Sequence, residues 1–340
     1  MSTFVNSGKI GCAIALAALG LVPMTASAQN LEGAGSTFVG PCFLREFARY
    51  KQITGGSVNY QVVGSGAGYI AFKNKTADFG ASDAPMTAQE EGELPGKAVQ
   101  FPVIGGAVVM TYNLPGVATG LKFTPEIIAG MYLGKIKLWN DPAIRAVNPG
   151  VNLPAIAVQP VHRTDGSGTT YVFTNYLKKA NGEWAGSIGA GKSVSWPVGL
   201  GGKGNQGVAA VVARTPGGLG YNELAFAVEN KLSYGSVRNR AGKFVTANIG
   251  TTTAAIDFYA NSVSKDVRIP VVDAGGANSY PITGLVYVFL YTNTPKAAQL
   301  TKLWKWFLEP AQQQDAKVLL YAPLPESLVK LNLAKVGMVR

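Results

Sequence analysis

The sequence predicts an α/β architecture in which mostly parallel strands alternate with helices. Three observations carry that expectation. Short apolar, β-prone runs recur along the chain at VNYQVV, AVQFPVI, AVVMTYNL, AIAVQPV, GLGYNE and GLVYVFLY. Segments with apolar residues at helical spacing fall between them, as in YVFTNYL after AIAVQPV. Glycine, 42 of 340 residues, gathers in the short joints, and no long repeat interrupts the alternation. This is the pattern of a sheet flanked by helices.

The chain opens MSTFVNSGKIGCAIALAALGLVPMTASAQN, with one lysine, an apolar run from Ile10 to Val22, and Ala26-Ser27-Ala28. That is the three-part plan of a cleavable secretory signal peptide over residues 1–28, cut after Ala28, and its apolar run is too short to span a bilayer. The mature chain is expected to be exported and soluble, and it is long enough for two domains. Cys12 leaves with the signal, so Cys42 has no partner for an internal disulfide and reads as a small buried apolar residue.

Helix starts are legible further along. Thr87 to Glu90, TAQE, has capping-box spacing, while Thr124-Pro125 and Thr294-Pro295 each place a proline in a first turn. The chain ends in two amphipathic helices, PKAAQLTKLWKWFL and PESLVKLNLAKV.

The balance of 30 Lys+Arg against 19 Asp+Glu gives a net charge of +11. Nucleic acid, anionic lipid or a small anion could each meet such a surface. The tightest basic group, Arg238-Asn239-Arg240 with Lys243, is short and lacks interleaved aromatics, which argues against nucleic acid. The surplus is general surface charge that concentrates anionic ligands.

Catalytic and metal-binding constellations are thin. His162 is the only histidine, which excludes a His-rich metal site and leaves a serine triad only that one base. No metal, cofactor or catalytic residue is expected. Trp139, Trp184, Trp196, Trp304 and Trp306 read as core anchors. Gly186 to Ser193, GSIGAGKS, matches the phosphate-loop pattern letter for letter, but KKANGEWA before it and VSWPVGLGG after it supply neither the strand nor the helix that the mechanism needs. Gly199, Gly201 and Gly204 satisfy a dinucleotide fingerprint, with Glu223 near ribose-contact distance. Pro197 spoils the preceding strand and NQGVAAVVA stops at TPGG after barely two turns, so this reads as a glycine-rich loop leading into a short packed helix.

Four joints remain where a strand meets a helix start: GAGSTF, VGSGAG, GASDAPM and HRTDGSGTT. Such joints present unpaired N–H groups and the positive end of a helix dipole, a natural seat for an anion. In an extended segment Arg163 and Asp165 share a face, so the acid can hold the guanidinium in one rotamer while N–H donors stay free. Glycines 166 and 168 allow close backbone approach, and Ser167 and Thr169 offer hydroxyls. A plain helix cap with a surface salt bridge explains this stretch equally well on its own. Thr37 and the amides after it, and Ser65, repeat the donor chemistry. Asp83 differs, because it brings a carboxylate to a place otherwise built for anions.

Taken in order, GAGSTF, NYQVVGSGAG, TADFGASDAPM, QFPVIGGAVVMTYNLPG, MYLGKIKLWND, HRTDGSGTTYVFTNYL and WPVGLGGKGNQGVAAVV resemble the successive signatures of the phosphate-binding subunit of bacterial high-affinity phosphate ABC importers. The resemblance runs from about Gly33 to Glu223 and resumes near Ser279; residues 231–278 match poorly. It implies a two-lobed periplasmic binding protein of type II, each lobe a mostly parallel sheet flanked by helices, with the ligand cleft at the hinge. Lobe I would comprise 29–103 plus 285–340, and lobe II 104–284. The resemblance implies a monomer that binds inorganic phosphate through Thr37, Phe38, Ser65, Asp83, Arg163, Ser167, Gly168 and Thr169. Asp165 would orient Arg163, while Phe38 and Gly168 would donate backbone N–H groups. Delivery would be to a membrane permease.

Asp83 then acquires a physical role. An ionised carboxylate only accepts, so it pairs with a ligand oxygen that bears a proton, which phosphate has near neutral pH and sulfate lacks. Arsenate, protonated like phosphate, is not excluded by this logic. Two rival classes remain: an exported phosphatase or esterase using Ser167 with His162, and a surface adhesin or sensory protein on the same fold.

Overall fold

The computed structural model describes Thr3 and residues 30–340. The expected signal segment, 1–28, lies outside the described residues except for Thr3. Among the described residues no helix is long and apolar enough to cross a membrane.

The chain begins with two strand–helix–strand units: β1 (Leu31–Gly35), α1 (Gly40–Thr54), β2 (Val58–Val62), α2 (Ser65–Lys73) and β3 (Phe79–Ser82). β1 lies between β2 and β3 and pairs in parallel with both. A short helix, α3 (Ala88–Gly92), carries the capping box that TAQE predicts, with Thr87 accepting from the Glu90 amide. The two runs expected as separate strands, AVQFPVI and AVVMTYNL, form one strand of 16 residues, β4 (Ala98–Asn113).

The middle of the chain adds β5 (Lys122–Phe123), α4 (Pro125–Tyr132), α5 (Pro142–Val147), β6 (Gln159–Arg163), α6 (Gly168–Ala180), α7 (Gly182–Ser187), β7 (Leu200–Gly202), α8 (Gly204–Arg214), β8 (Gly218–Glu223) and α9 (Leu224–Glu229). Thr124 caps α4 as expected. β6 pairs in parallel with β7 and β8. The stretch outside the resemblance supplies β9 (Ser233–Tyr234), β10 (Ser236–Arg238), β11 (Phe244–Val245) and the 17-residue α10 (Ile249–Lys265). β10 joins β5 and β11 in a small separate sheet.

The chain then returns through β12 (Thr283–Tyr291) to α11 (Ala297–Phe307), α12 (Pro310–Asp315), a 3₁₀ turn (Ala316–Leu319) and α13 (Glu326–Val336). α11 starts at Ala297 rather than beside Pro295, because Thr294 and Pro295 make a turn that the Ala297 amide closes onto the Thr294 carbonyl at 3.2 Å.

The main sheet runs β2-β1-β3-β12-β4-β8-β6-β7, with β9 on β4. Its wings are parallel, as the alternation predicts. Its centre is antiparallel, because β12 opposes β3 and β4, and β4 opposes β8. β4 pairs with β12 up to Ala107 and with β8 from Val108, so one continuous strand ties the two wings together. Proline cannot donate to a ladder, and Pro102 sits where the β12 register shifts opposite Val286 and Tyr287. The Pro102 carbonyl is taken by Asn332 of α13.

Each wing has an aromatic core. In the first, Trp304 of α11 lies 5.7 Å from Phe43 and 5.1 Å from Phe79, centroid to centroid, fastening the C-terminal helices to the N-terminal units. In the other, Phe173 stacks on Tyr221 at 4.4 Å. Trp139, Trp184 and Trp304 are fully enclosed and Trp306 nearly so, whereas Trp196 is half-buried and stacks on the His162 ring. Cys42 is buried on α1 as a free thiol.

Helix α2 sits so close to β1 that a Cβ on Gly68 would lie 2.3 Å from the Gly35 Cα and 2.7 Å from the Ala34 carbonyl oxygen. Both obstacles are backbone, which rotamer changes cannot relieve. Gly68→Ala should therefore lower stability by about 1–3 kcal/mol, on the scale of overpacked cores. Chemical denaturation of the two proteins side by side checks this, and an unchanged midpoint would show that α2 can lift from β1 at no cost.

Candidate functional site

The carboxyl ends of β1, β2, β3, β6 and β7 all point to one place between the wings, each followed by a loop or a helix N-terminus. In open α/β sheets this is where ligands gather. From the first wing come Ser36, Thr37 and Phe38 at the joint of β1 and α1, Ser65 as the first residue of α2, and Asp83 just past β3. From the opposite wing come Arg163 at the end of β6, Ser167 as N-cap of α6, and Gly168 and Thr169 in its first turn. All eight residues singled out from the sequence as ligand contacts lie in this region, buried, with Thr37, Asp83 and Arg163 at 2%, 2% and 5% exposure.

Asp83 is the only carboxylate at the centre of this set. Ser36 donates its hydroxyl to Oδ1, and the Thr169 hydroxyl reaches Oδ2 at 3.3 Å from the opposite wing. Gly168 lies so near that a Cβ there would stand 2.5 Å from Oδ2. Burial pushes the Asp83 carboxyl up to about 6, against the lowering pull of Ser36, Arg163 and Thr169.

Arg163 is held from two sides. Its Nε and Nη2 donate to the two oxygens of Asp165 at 2.8 and 2.6 Å, and Nη1 donates to Thr169 Oγ1 at 3.3 Å. Three of the five guanidinium N–H groups are thus committed, and two remain for a ligand. Asp165 is itself fixed by the Gly204 amide at 3.0 Å. Burial would raise the Asp165 carboxyl, but the hydrogen bonds and charge of Arg163 outweigh it and hold it below the usual range.

The wings touch at several points around this centre. The Gly66 amide donates to the Gly166 carbonyl at 2.8 Å, and Lys192 pairs with Glu90. Lys192 belongs to the GSIGAGKS stretch. α7 stands before that loop where a strand would be required, and no regular element follows until β7, so phosphate-loop geometry is absent there.

The glycine-rich run from Gly199 to Gly204 differs from what its sequence suggests. β7 and the 11-residue α8 do form a strand and helix around it, and the start of α8 faces the site. Asn205, wholly buried, donates from its amide and its Nδ2 to Thr37 Oγ1, both at 3.1 Å, and from Nδ2 to Thr169 Oγ1 at 3.0 Å. Sequence reasoning missed Asn205 and Ser36, although both stand inside stretches that carry the resemblance: an asparagine at a glycine-led helix start was the available signal. Glu223 makes no contact of the kind expected for a ribose. It is buried behind the site, accepting from the Ala225 amide at 2.8 Å and from Tyr321 at 3.3 Å, and burial pushes its carboxyl well above the usual range.

The hydrolase arrangement does not form. Ser167 Oγ is occupied as a helix cap, accepting from the Thr170 amide at 3.0 Å, while the His162 ring lies on Trp196 with Nδ1 beside the Arg163 carbonyl. Among the described residues no His/Cys/Asp/Glu group could hold a metal.

The chain matches the model of the PBP superfamily domain over residues 23–311. It is 42% identical over 305 residues to the phosphate-binding protein PstS of Xylella fastidiosa strain Temecula1, covering 88% of this chain and 83% of that protein. The chain belongs to the PstS phosphate-binding protein family. Another relative, PstS of Pasteurella multocida, is 41% identical over 311 residues and covers 90% of each chain. Among solved structures, a high-affinity periplasmic phosphate-binding protein (PfluDING) bound with phosphate superposes with a TM-score of 0.71 at 21% identity, covering 90% of this chain and 93% of that one. The likeness establishes the two-lobed α/β fold.

The raised pKa of Asp83 bears on stability. The folded form holds the Asp83 proton more tightly than the unfolded chain, so ionisation costs stability as pH rises from about 4 to about 6. Without phosphate, Asp83→Asn should be more stable than the parent at pH 7, by on the order of 1–3 kcal/mol, with the margin vanishing near pH 4. Thermal melts across that range measure it, and a variant less stable than the parent at pH 7 would contradict the assignment.

Proposed function

We propose that the chain is a receptor that closes over one inorganic phosphate ion in the periplasm and delivers it to the membrane permease of an ABC importer. One observation carries this reading. Amides, hydroxyls and a single guanidinium from both wings converge on a buried point that contains one acceptor, Asp83. The names of the relatives and the phosphate in the solved neighbour support the same ligand.

Thr37, Ser65, Ser167 and Thr169 donate hydroxyls in this account, Phe38 and Gly168 donate backbone N–H groups, and Arg163, steadied by Asp165, supplies the positive charge. Asp83 accepts the proton that phosphate retains. Sulfate would place an unprotonated oxygen against a buried carboxylate, where the unrelieved repulsion is worth several kcal/mol. The division into lobe I, 29–103 with 285–340, and lobe II, 104–284, puts Thr37, Ser65 and Asp83 on one side of the ligand and Arg163 to Thr169 on the other. A ligand touching both lobes favours the shut form by the contacts it gains there. Residues 1–28 act as the export signal, and the mature protein works as a monomer without cofactor or metal.

Calorimetry on the mature protein tests this reading. Phosphate should bind without competition from sulfate in large excess, and Arg163→Ala should weaken phosphate by about a hundredfold or more, the scale of losing a buried charge partner. Sulfate binding as tight as phosphate would overturn the role given to Asp83; no phosphate binding at all would overturn the function.

A further inference from the structure

Recognition of phosphate through hydroxyls depends on where their protons point, and Asn205 touches two of those hydroxyls. A hydroxyl has one proton and two lone pairs. On Thr37 both lone pairs are occupied by Asn205, through its amide and its Nδ2 at 3.1 Å each. On Thr169 they are occupied by Asn205 Nδ2 at 3.0 Å and Arg163 Nη1 at 3.3 Å. Each oxygen is left able only to donate, and on Thr169 that proton is directed at Asp83 Oδ2, 3.3 Å away. Asn205 is in turn anchored: its Oδ1 accepts from the Glu223 amide at 2.9 Å and its carbonyl from Asn222 Nδ2 at 2.8 Å. The acceptor end of the carboxamide is thereby turned to Glu223, so its N–H₂ end must face the two threonines.

We propose that Asn205 is a positioning residue for phosphate recognition, which turns the Thr37 hydroxyl proton toward the ligand and holds the Thr169 proton on the side where Asp83 stands, from opposite lobes. Free hydroxyls would have to be oriented as the ligand enters, and either could present a lone pair to an anionic oxygen, which repels. With Asn205 in place that misorientation is closed off on Thr169 before the ligand arrives and on Thr37 as the lobes shut. The same carboxamide spans Thr37 in lobe I and Thr169 in lobe II, so its full set of bonds exists only when the lobes are shut. The proposal rests on phosphate being the ligand.

A double-mutant cycle separates this from a general packing role, because the effect runs through a hydroxyl that can be removed on its own. Phosphate dissociation constants would be measured by calorimetry for the parent, Asn205→Ala, Thr37→Val and the double variant. Each single change should weaken phosphate by about 10- to 100-fold. In the Thr37→Val background, Asn205→Ala should cost about tenfold less than it does alone. Losses that multiply, or parent-like affinity in Asn205→Ala, overturn the proposal.

Should Asn205→Ala not fold, Asn205→Asp keeps the Oδ1 acceptor for the Glu223 amide and replaces the donor end with an acceptor. It draws the threonine protons away from the ligand, so its loss should also shrink in the Thr37→Val background; an equal loss in both backgrounds overturns the proposal. A parent protein that fails to bind phosphate refutes the functional reading and is told apart at the first measurement.

Discussion

An aspartate at 2% exposure, facing donors from two wings of one sheet, is the constraint on which the rest of this structure depends. A buried carboxylate is tolerated only when it is paired or hydrogen-bonded, and the elevation of Asp83 to about 6 shows that its present partners, Ser36 and Thr169 among them, compensate only part of the cost of burial. A protonated ligand oxygen would supply what is missing. Arg163 occupies the complementary position: it is equally enclosed, but Asp165 neutralises it bidentately and leaves donors over. One charge is thus fully supported and the other is kept in want of a proton.

The fold exists to bring those groups to one point. Parallel strands in each wing aim their carboxyl ends inward, and helix N-termini add unpaired amides at the same place. The antiparallel centre serves a different purpose. β4 changes partner between Ala107 and Val108, so the wings share a strand while keeping separate aromatic cores around Trp304 and around Phe173 and Tyr221. Cross-wing contacts such as Gly66 to Gly166 and Lys192 to Glu90 are polar, as is common where one domain meets another.

Much of this was legible in the sequence where local chemistry decides the outcome. The caps at Thr87 and Thr124, the strand runs, the enclosed tryptophans and the joint at Arg163 to Thr169 all follow from short-range patterns. The fusion of two runs into β4 was not legible, because Gly105-Gly106 reads as punctuation, and only the flanking β12 and β8 make it extended strand. Asn205 escaped for a related reason. A short edge strand with Pro197 upstream looked too weak to place a helix start, yet β6 on one side and Thr37 on the other fix it. Glu223 stood out by spacing alone, and its burial against Tyr321 has no local signature.

The claim that Asp83 accepts a proton from phosphate can be read from neutron diffraction by crystals of the complex, which locates the proton itself. A phosphate ion should lie within hydrogen-bonding distance of both Arg163 and Asp83, with deuterium density between one phosphate oxygen and the Asp83 carboxylate. Phosphate bound between the wings with Asp83 turned away, or facing it across an oxygen pair that shares no deuteron, would contradict that claim.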